Sequence, residues 1–182
     1  MRTEPQQRAY DLSHIEVVVV DDCPIVVKLL GMMLNSMDIR KVYSTTDPVY
    51  ALKVIFETRP HLVITDLLMD SIDGLSLAKS IRFCRDDELR CTPIFILTGF
   101  TDKEHVIQAR DAGVNEVLAK PLSTRRIYQR ICNLIERPQK FVETVSYFGP
   151  ERRLMQENIA NSDRRTRQAA AHGPEHRHID VD

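Results

Sequence analysis

IEVVVVDDCP (residues 15–24) is an unbroken β-branched run that ends in two acids, a cysteine and a proline. Continuous rather than alternating apolarity suits a strand buried on both faces, as in a parallel sheet. Pro24 fits the first turn of a following helix, where its missing N–H would have no partner anyway. Val27, Leu30, Met33, Leu34 and Met37 then recur at helical spacing.

Further along the chain the same unit repeats. Val42 to Thr45 reads as a short strand, and Asp47-Pro48 as an N-cap with Pro behind it. Ala51, Leu52, Val54, Ile55 and Phe56 fall in the helix that Pro60 stops. HLVITDLLM (61–69) is a third strand closed by Asp66, Asp73-Gly74 a turn and start signal, and LSLAKSIRFC (75–84) a helix. PIFILTG (93–99) is a fourth strand, and TDKEHVIQARDAG (101–113) a helix closed by Gly113. VNEVLAKP (114–121) holds a fifth strand. Ser123 caps a last helix with Ile127, Ile131, Leu134 and Ile135 on one stripe, and Pro138 ends it. Five strands alternating with five helices predict repeated βαβ units, hence an α/β parallel sheet with helices on both faces.

The flanks differ. Residues 1–13 read as a disordered lead-in, 14–137 as the domain, and 138–182 as a polar, largely irregular tail in which only FVETVSYFG (141–149) is apolar. The tail echoes itself: FGPERR (148–153) returns as HGPEHR (172–177), a candidate pair of docking motifs. Its His172, His176 and His178 are read as solvated rather than as metal ligands.

Composition narrows the function. Lys and Arg total 25 against 26 Asp and Glu, and residues 150–182 balance six Arg against six acids, so no basic field invites nucleic acid. The tail also lacks a helix-turn-helix pattern, and direct DNA binding is not expected. Cys23, Cys84, Cys91 and Cys132 form no C-x-x-C pair and read as reduced thiols. No apolar run is long enough for a bilayer and no signal peptide is evident, which points to a cytoplasmic protein without a membrane role.

In open α/β sheets ligands bind beyond the carboxyl ends of the strands. Those ends carry Asp21 and Asp22, Asp66, Thr98 and Lys120. Acids about 4 Å apart repel by roughly 4 kcal/mol per pair at an effective dielectric near 20. Lys120 supplies one compensating charge, and a divalent cation is the natural complement. Oxygen-only donors select Mg²⁺, Mn²⁺ or Ca²⁺ over zinc. An Asp can act as a nucleophile toward phosphorus, while a metal, a lysine and a threonine hydroxyl stabilise the phosphoryl oxygens.

The set Asp21-Asp22, Asp66, Thr98 and Lys120-Pro121, each at a strand end, resembles the receiver domain of response regulators over roughly residues 14–137. The resemblance implies a flavodoxin-like doubly wound sheet of order 2-1-3-4-5. It implies Asp66 as phosphoacceptor and a Mg²⁺ site of Asp22, Asp21 through water, Asp66 and the Leu68 carbonyl. Thr98 and Lys120 would contact the phosphoryl group. A histidine kinase or histidine phosphotransfer protein would be the donor. Output would pass to a protein partner; the alternative is a phosphate sink or shuttle in a phosphorelay. The chain would catalyse only its own phosphorylation and dephosphorylation. An Asp-based phosphohydrolase of the haloacid-dehalogenase kind would need a second Asp two residues on, where Leu68 stands. Two positions depart from the family pattern. Asp70 follows Met69 where Pro is common. Val117 stands where a switch aromatic is usual, with Phe100 a substitute candidate beside Thr98. Leu68 and Phe100 would also flank the path of attacking water and exclude it.

Overall fold

A computed structural model describes residues 10–99 and 103–151. The elements are β1 (Glu16–Val20), α1 (Pro24–Asn35), β2 (Lys41–Thr45), α2 (Pro48–Thr58), β3 (Leu62–Asp66), α3 (Gly74–Arg82), α4 (Asp87–Arg90), β4 (Ile94–Thr98), α5 (Lys103–Asp111), β5 (Glu116–Ala119), α6 (Thr124–Glu136), β6 (Phe141–Thr144) and β7 (Tyr147–Pro150).

β1 to β5 form a parallel sheet in the order β2-β1-β3-β4-β5. This is the flavodoxin-like architecture expected from the sequence. β3 and β4 are buried throughout. Val17 and Val19 join Leu30, Leu34, Ile64, Leu97, Ile127 and Ile131 in one core cluster, while Val18 and Val20 are also wholly buried. That two-sided burial explains why β1 reads as a continuous rather than alternating apolar run. Several local signals act as their chemistry dictates. Asp47 accepts hydrogen bonds from the Val49 and Tyr50 amides, Asp73 from Ser76, and Ser123 from Arg126. Gly113 takes a positive φ of 80° just beyond α5.

Three features depart from the expected outline. Tyr10 and Leu12, expected in the lead-in, pack on the domain: Leu12 is 1% exposed and belongs to the main core cluster, and the Tyr10 hydroxyl donates to Glu136 at 2.7 Å. A sixth helix, α4, follows α3. It has only four residues, held by Asp86 capping the Glu88 and Leu89 amides and by Leu89 inserting into the interior. A single turn has no periodicity for a sequence pattern to reveal.

The third departure is at the start of the tail, where residues 141–150 are not irregular. β6 and β7 pair as an antiparallel hairpin in the same compact unit as the sheet. Phe141 and Phe148 lie 5.6 Å apart, and buried Tyr147 donates its hydroxyl to the Pro150 carbonyl at 2.7 Å. The rings sit under cations: Arg82 is 5.1 Å from the Phe141 centroid and Arg90 3.7 Å from that of Phe148. The apolar phrase is thus covered by arginine faces from α3 and α4 rather than by a core of its own. Residues 148–150 of the first echoed phrase lie in β7. The second phrase, with His172, His176 and His178, lies outside the described residues.

Candidate functional site

The parallel register delivers four strand ends to one edge. Val20 pairs with Thr65, Asp66 with Leu97, and Thr98 with Ala119. Asp21 follows β1, Asp66 and Thr98 end β3 and β4, and Lys120 follows β5. The Lys120 amide donates to the Thr98 carbonyl at 2.8 Å, tying the fifth strand's exit to the fourth's. The Lys120–Pro121 peptide bond is cis.

At this edge one ammonium serves two buried acids. Lys120 Nζ lies 2.8 Å from Asp21 Oδ2 and 2.7 Å from Asp66 Oδ1. Asp21 is 1% exposed, and its other oxygen accepts the Cys23 amide at 2.9 Å, which fixes the carboxylate plane. Asp22 is exposed. Asp21, Asp22 and Asp66 each offer a carboxylate oxygen, all within 4.8 Å of one another. Burial pushes the Asp66 carboxyl above its ordinary pKa, with the Lys120 hydrogen bond opposing. For Lys120 burial acts downward, but hydrogen bonds to Asp21 and Asp66 outweigh it and hold the ammonium above its usual value.

Three acids against one ammonium leave a negative excess in a partly buried place, and all the donors are oxygens. Such a set fits a hard divalent cation such as Mg²⁺, and the absence of His and Cys from it disfavours zinc.

The loop after Asp66 is pinned at both ends. The Leu67 amide donates to the Leu97 carbonyl and the Gly74 amide to the Leu67 carbonyl, both at 2.9 Å. Gly74 lies against the Asp66 carbonyl with no room for a Cβ. Between these anchors Leu68 is 52% exposed, Met69 is buried and Asp70 faces solvent.

The structure therefore brings Asp21, Asp22, Asp66 and Lys120 into one cluster, sets buried Thr98 on the same edge and leaves Leu68 in the adjoining loop. Val117 is half-buried on β5 opposite Ile96, with no aromatic ring at that position. Phe100 lies outside the described residues. Gly74 is the positioning residue that sequence reasoning passed over; its Asp-Gly pair reads as a turn and helix-start signal, not as a close approach to Asp66.

The response regulator receiver domain model matches residues 17–132. The chain belongs to the response-regulator receiver family. This receiver is similar to the chemotaxis protein CheY-3 of Vibrio cholerae serotype O1, 26% identical over 125 residues that span 69% of this chain and 95% of that protein. A crystal structure assigned as a response regulator of Chloroflexus aurantiacus matches with a TM-score of 0.62 at 29% identity, covering 68% of this chain and 98% of that one. A protein-glutamate methylesterase/protein-glutamine glutaminase of Pseudomonas savastanoi is 33% identical over 112 residues, 60% of this receiver's chain but only 30% of that protein. The chain is thus a CheY-like receiver of two-component signalling. Among the described residues no helix is long and apolar enough to cross a membrane. The hairpin β6–β7 lies beyond the family match.

Proposed function

We propose that Asp66 accepts a phosphoryl group from a phosphohistidine of a histidine kinase or histidine phosphotransfer protein, in a Mg²⁺-dependent reaction. The observation that carries this is the cluster of Asp21, Asp22 and Asp66 closed by Lys120 at 2.7–2.8 Å. An Asp66 carboxylate oxygen attacks phosphorus; the P–N bond breaks and its electron pair leaves with the imidazole. Lys120, already against Asp66, offsets charge on the phosphoryl oxygens. The Thr98 hydroxyl donates to one of those oxygens. Asp21, Asp22, Asp66 and the Leu68 carbonyl are the residues that would hold the ion. Bound there, a divalent ion neutralises charge shared between the acceptor and the phosphoryl group.

Output passes to a protein partner. The balance of six Arg against six acids over residues 150–182 gives no field to attract DNA. Incubation with acetyl phosphate and Mg²⁺, read by intact mass, tests the proposal. Wild type gains one phosphoryl group; Asp66→Asn, or wild type in EDTA, gains none. Equal labelling of Asp66→Asn rejects Asp66 as the acceptor.

A further inference from the structure

Two elements run from the acid edge to the opposite edge of the sheet, and both end on the same side-chain node. α3 starts at Gly74, whose backbone lies against Asp66 and Leu67, and ends about 13 Å away at Arg82. β4 ends at Thr98 beside the acids, and its first residue, Ile94, donates its amide to Asn115 Oδ1 at 2.9 Å. The same Asn115 oxygen accepts from Arg82 Nη2 at 2.9 Å, and its amide nitrogen donates to Gln139, two residues before the hairpin, at 2.8 Å.

Arg82 is fully buried, and among the described residues no carboxylate is one of its hydrogen-bond partners. It donates to the carbonyls of Gly113, Arg90 and Thr92, each at 2.8 Å, as well as to Asn115. Burial pulls its pKa down to about 9, so it remains a cation at neutral pH. A buried cation satisfied only by a fork of neutral acceptors tolerates little displacement, since each lost bond leaves an uncompensated polar group. The hairpin sits on this node. Phe141 lies under Arg82; Phe148 lies under Arg90, which also pairs with Glu143 at 2.7 Å and donates to the Arg82 carbonyl at 3.0 Å. Gly113 and Gly149 meet with no room for a Cβ on either. The seat combines two bare backbones and two arginines set over rings.

We propose that the hairpin Phe141–Pro150 is a latch held by the Arg82–Asn115 node, and that occupancy of the acid edge by a phosphoryl group loosens it. This rests on the proposed phosphorylation of Asp66. In the seat as seen, no buried side-chain donor or acceptor among the described residues lacks a partner. A shift of α3 along its axis can therefore only remove hydrogen bonds, and the hairpin carries the consequence to the chain that follows it. Because coupling between two sites is reciprocal, freeing the hairpin must tighten the acid edge for its ligand by the same factor.

Hydrogen exchange on the full chain in Mg²⁺, with and without beryllofluoride as the phosphoryl mimic, tests this. Amides 141–149 are expected to exchange about ten-fold faster with the mimic, in the usual range for coupled sites. Phe148→Ala, which unstacks Arg90 and leaves the acid edge intact, should exchange fast without the mimic and bind beryllofluoride about ten-fold more tightly. Unchanged or slowed hairpin exchange, with the mimic visibly protecting residues 66–69, overturns the latch and leaves the phosphoacceptor assignment standing. Equal beryllofluoride affinity in Phe148→Ala and wild type overturns it as well. Failure of the wild type to bind the mimic at all removes both.

Discussion

Gly74 and Asp66 touch through backbone: the glycine's Cα faces the aspartate's carbonyl oxygen with no space for a methyl group. The first turn of α3 is thereby set directly on the residue that would carry the phosphoryl group. Gly74→Ala must push α3 and the acceptor loop apart. Overpacking of this kind costs roughly 1–3 kcal/mol. A lower urea midpoint with unchanged slope, together with slower labelling by acetyl phosphate, is the expected outcome. Wild-type stability and labelling would refute the close approach.

Lys120 compensates two acids at once, and Asp21 has almost no access to water. Replacing it with Met leaves both carboxylates facing each other beside Asp22. Removing one partner of a fully buried ion pair costs about 3–5 kcal/mol; because Lys120 is partly exposed, about 2 kcal/mol is expected here. Added Mg²⁺ should restore part of that loss in Lys120→Met and restore more than it adds to wild type. Denaturant titrations in EDTA and in Mg²⁺ measure both quantities. A variant that ignores Mg²⁺ argues against ion binding at the acid cluster.

The features legible in the sequence are those whose cause is local or periodic. Pro24, the Asp47-Pro48 pair, Ser123 and Gly113 act within one helical turn of themselves, and β1, β3 and β4 declare their two-sided burial in unbroken apolar runs. The acids and the lysine were visible because strand ends are ordered by chain position. What stayed hidden depends on distant partners. Arg82 carries no signal of its own within LSLAKSIRFC, although it sits one turn beyond Ala78 on the buried stripe of Leu77, Ala78 and Ile81. The hairpin reads as polar tail because its partners, Arg82 and Arg90, lie some fifty residues earlier, as in the Arg90–Glu143 pair separated by 53 positions.

Glu116 opens β5 with its carboxylate buried and Arg130 3.3 Å away. Burial raises its pKa above the ordinary glutamate value, and Arg130 offsets this only in part. The unfolded chain therefore releases this proton first. Stability conferred by Glu116 falls as pH rises from the ordinary glutamate range through the raised folded value, and levels off above it. Glu116→Gln lacks that loss. Its stability relative to wild type should increase between pH 4 and pH 7. Parallel urea titrations at the two pH values give the difference; a constant offset would mean that the carboxylate is not held above its ordinary range.

Leu68 projects from the acceptor loop two residues after Asp66, half exposed and unable to hydrogen-bond water. Hydrolysis of an aspartyl phosphate requires water in line with the P–O bond, and an apolar side chain beside that path excludes water without orienting it. Leu68→Asn offers an amide that can position a water and removes most of the apolar screen. Under the assignment of Asp66 as phosphoacceptor, the phosphorylated variant should lose its label several-fold faster than wild type, with its rate of labelling little changed because Asp66, Lys120 and the acids are untouched. Decay of radiolabelled protein after removal of acetyl phosphate reads the difference directly. If the wild type decays as fast as Leu68→Asn, the leucine is not what protects the phosphoryl group.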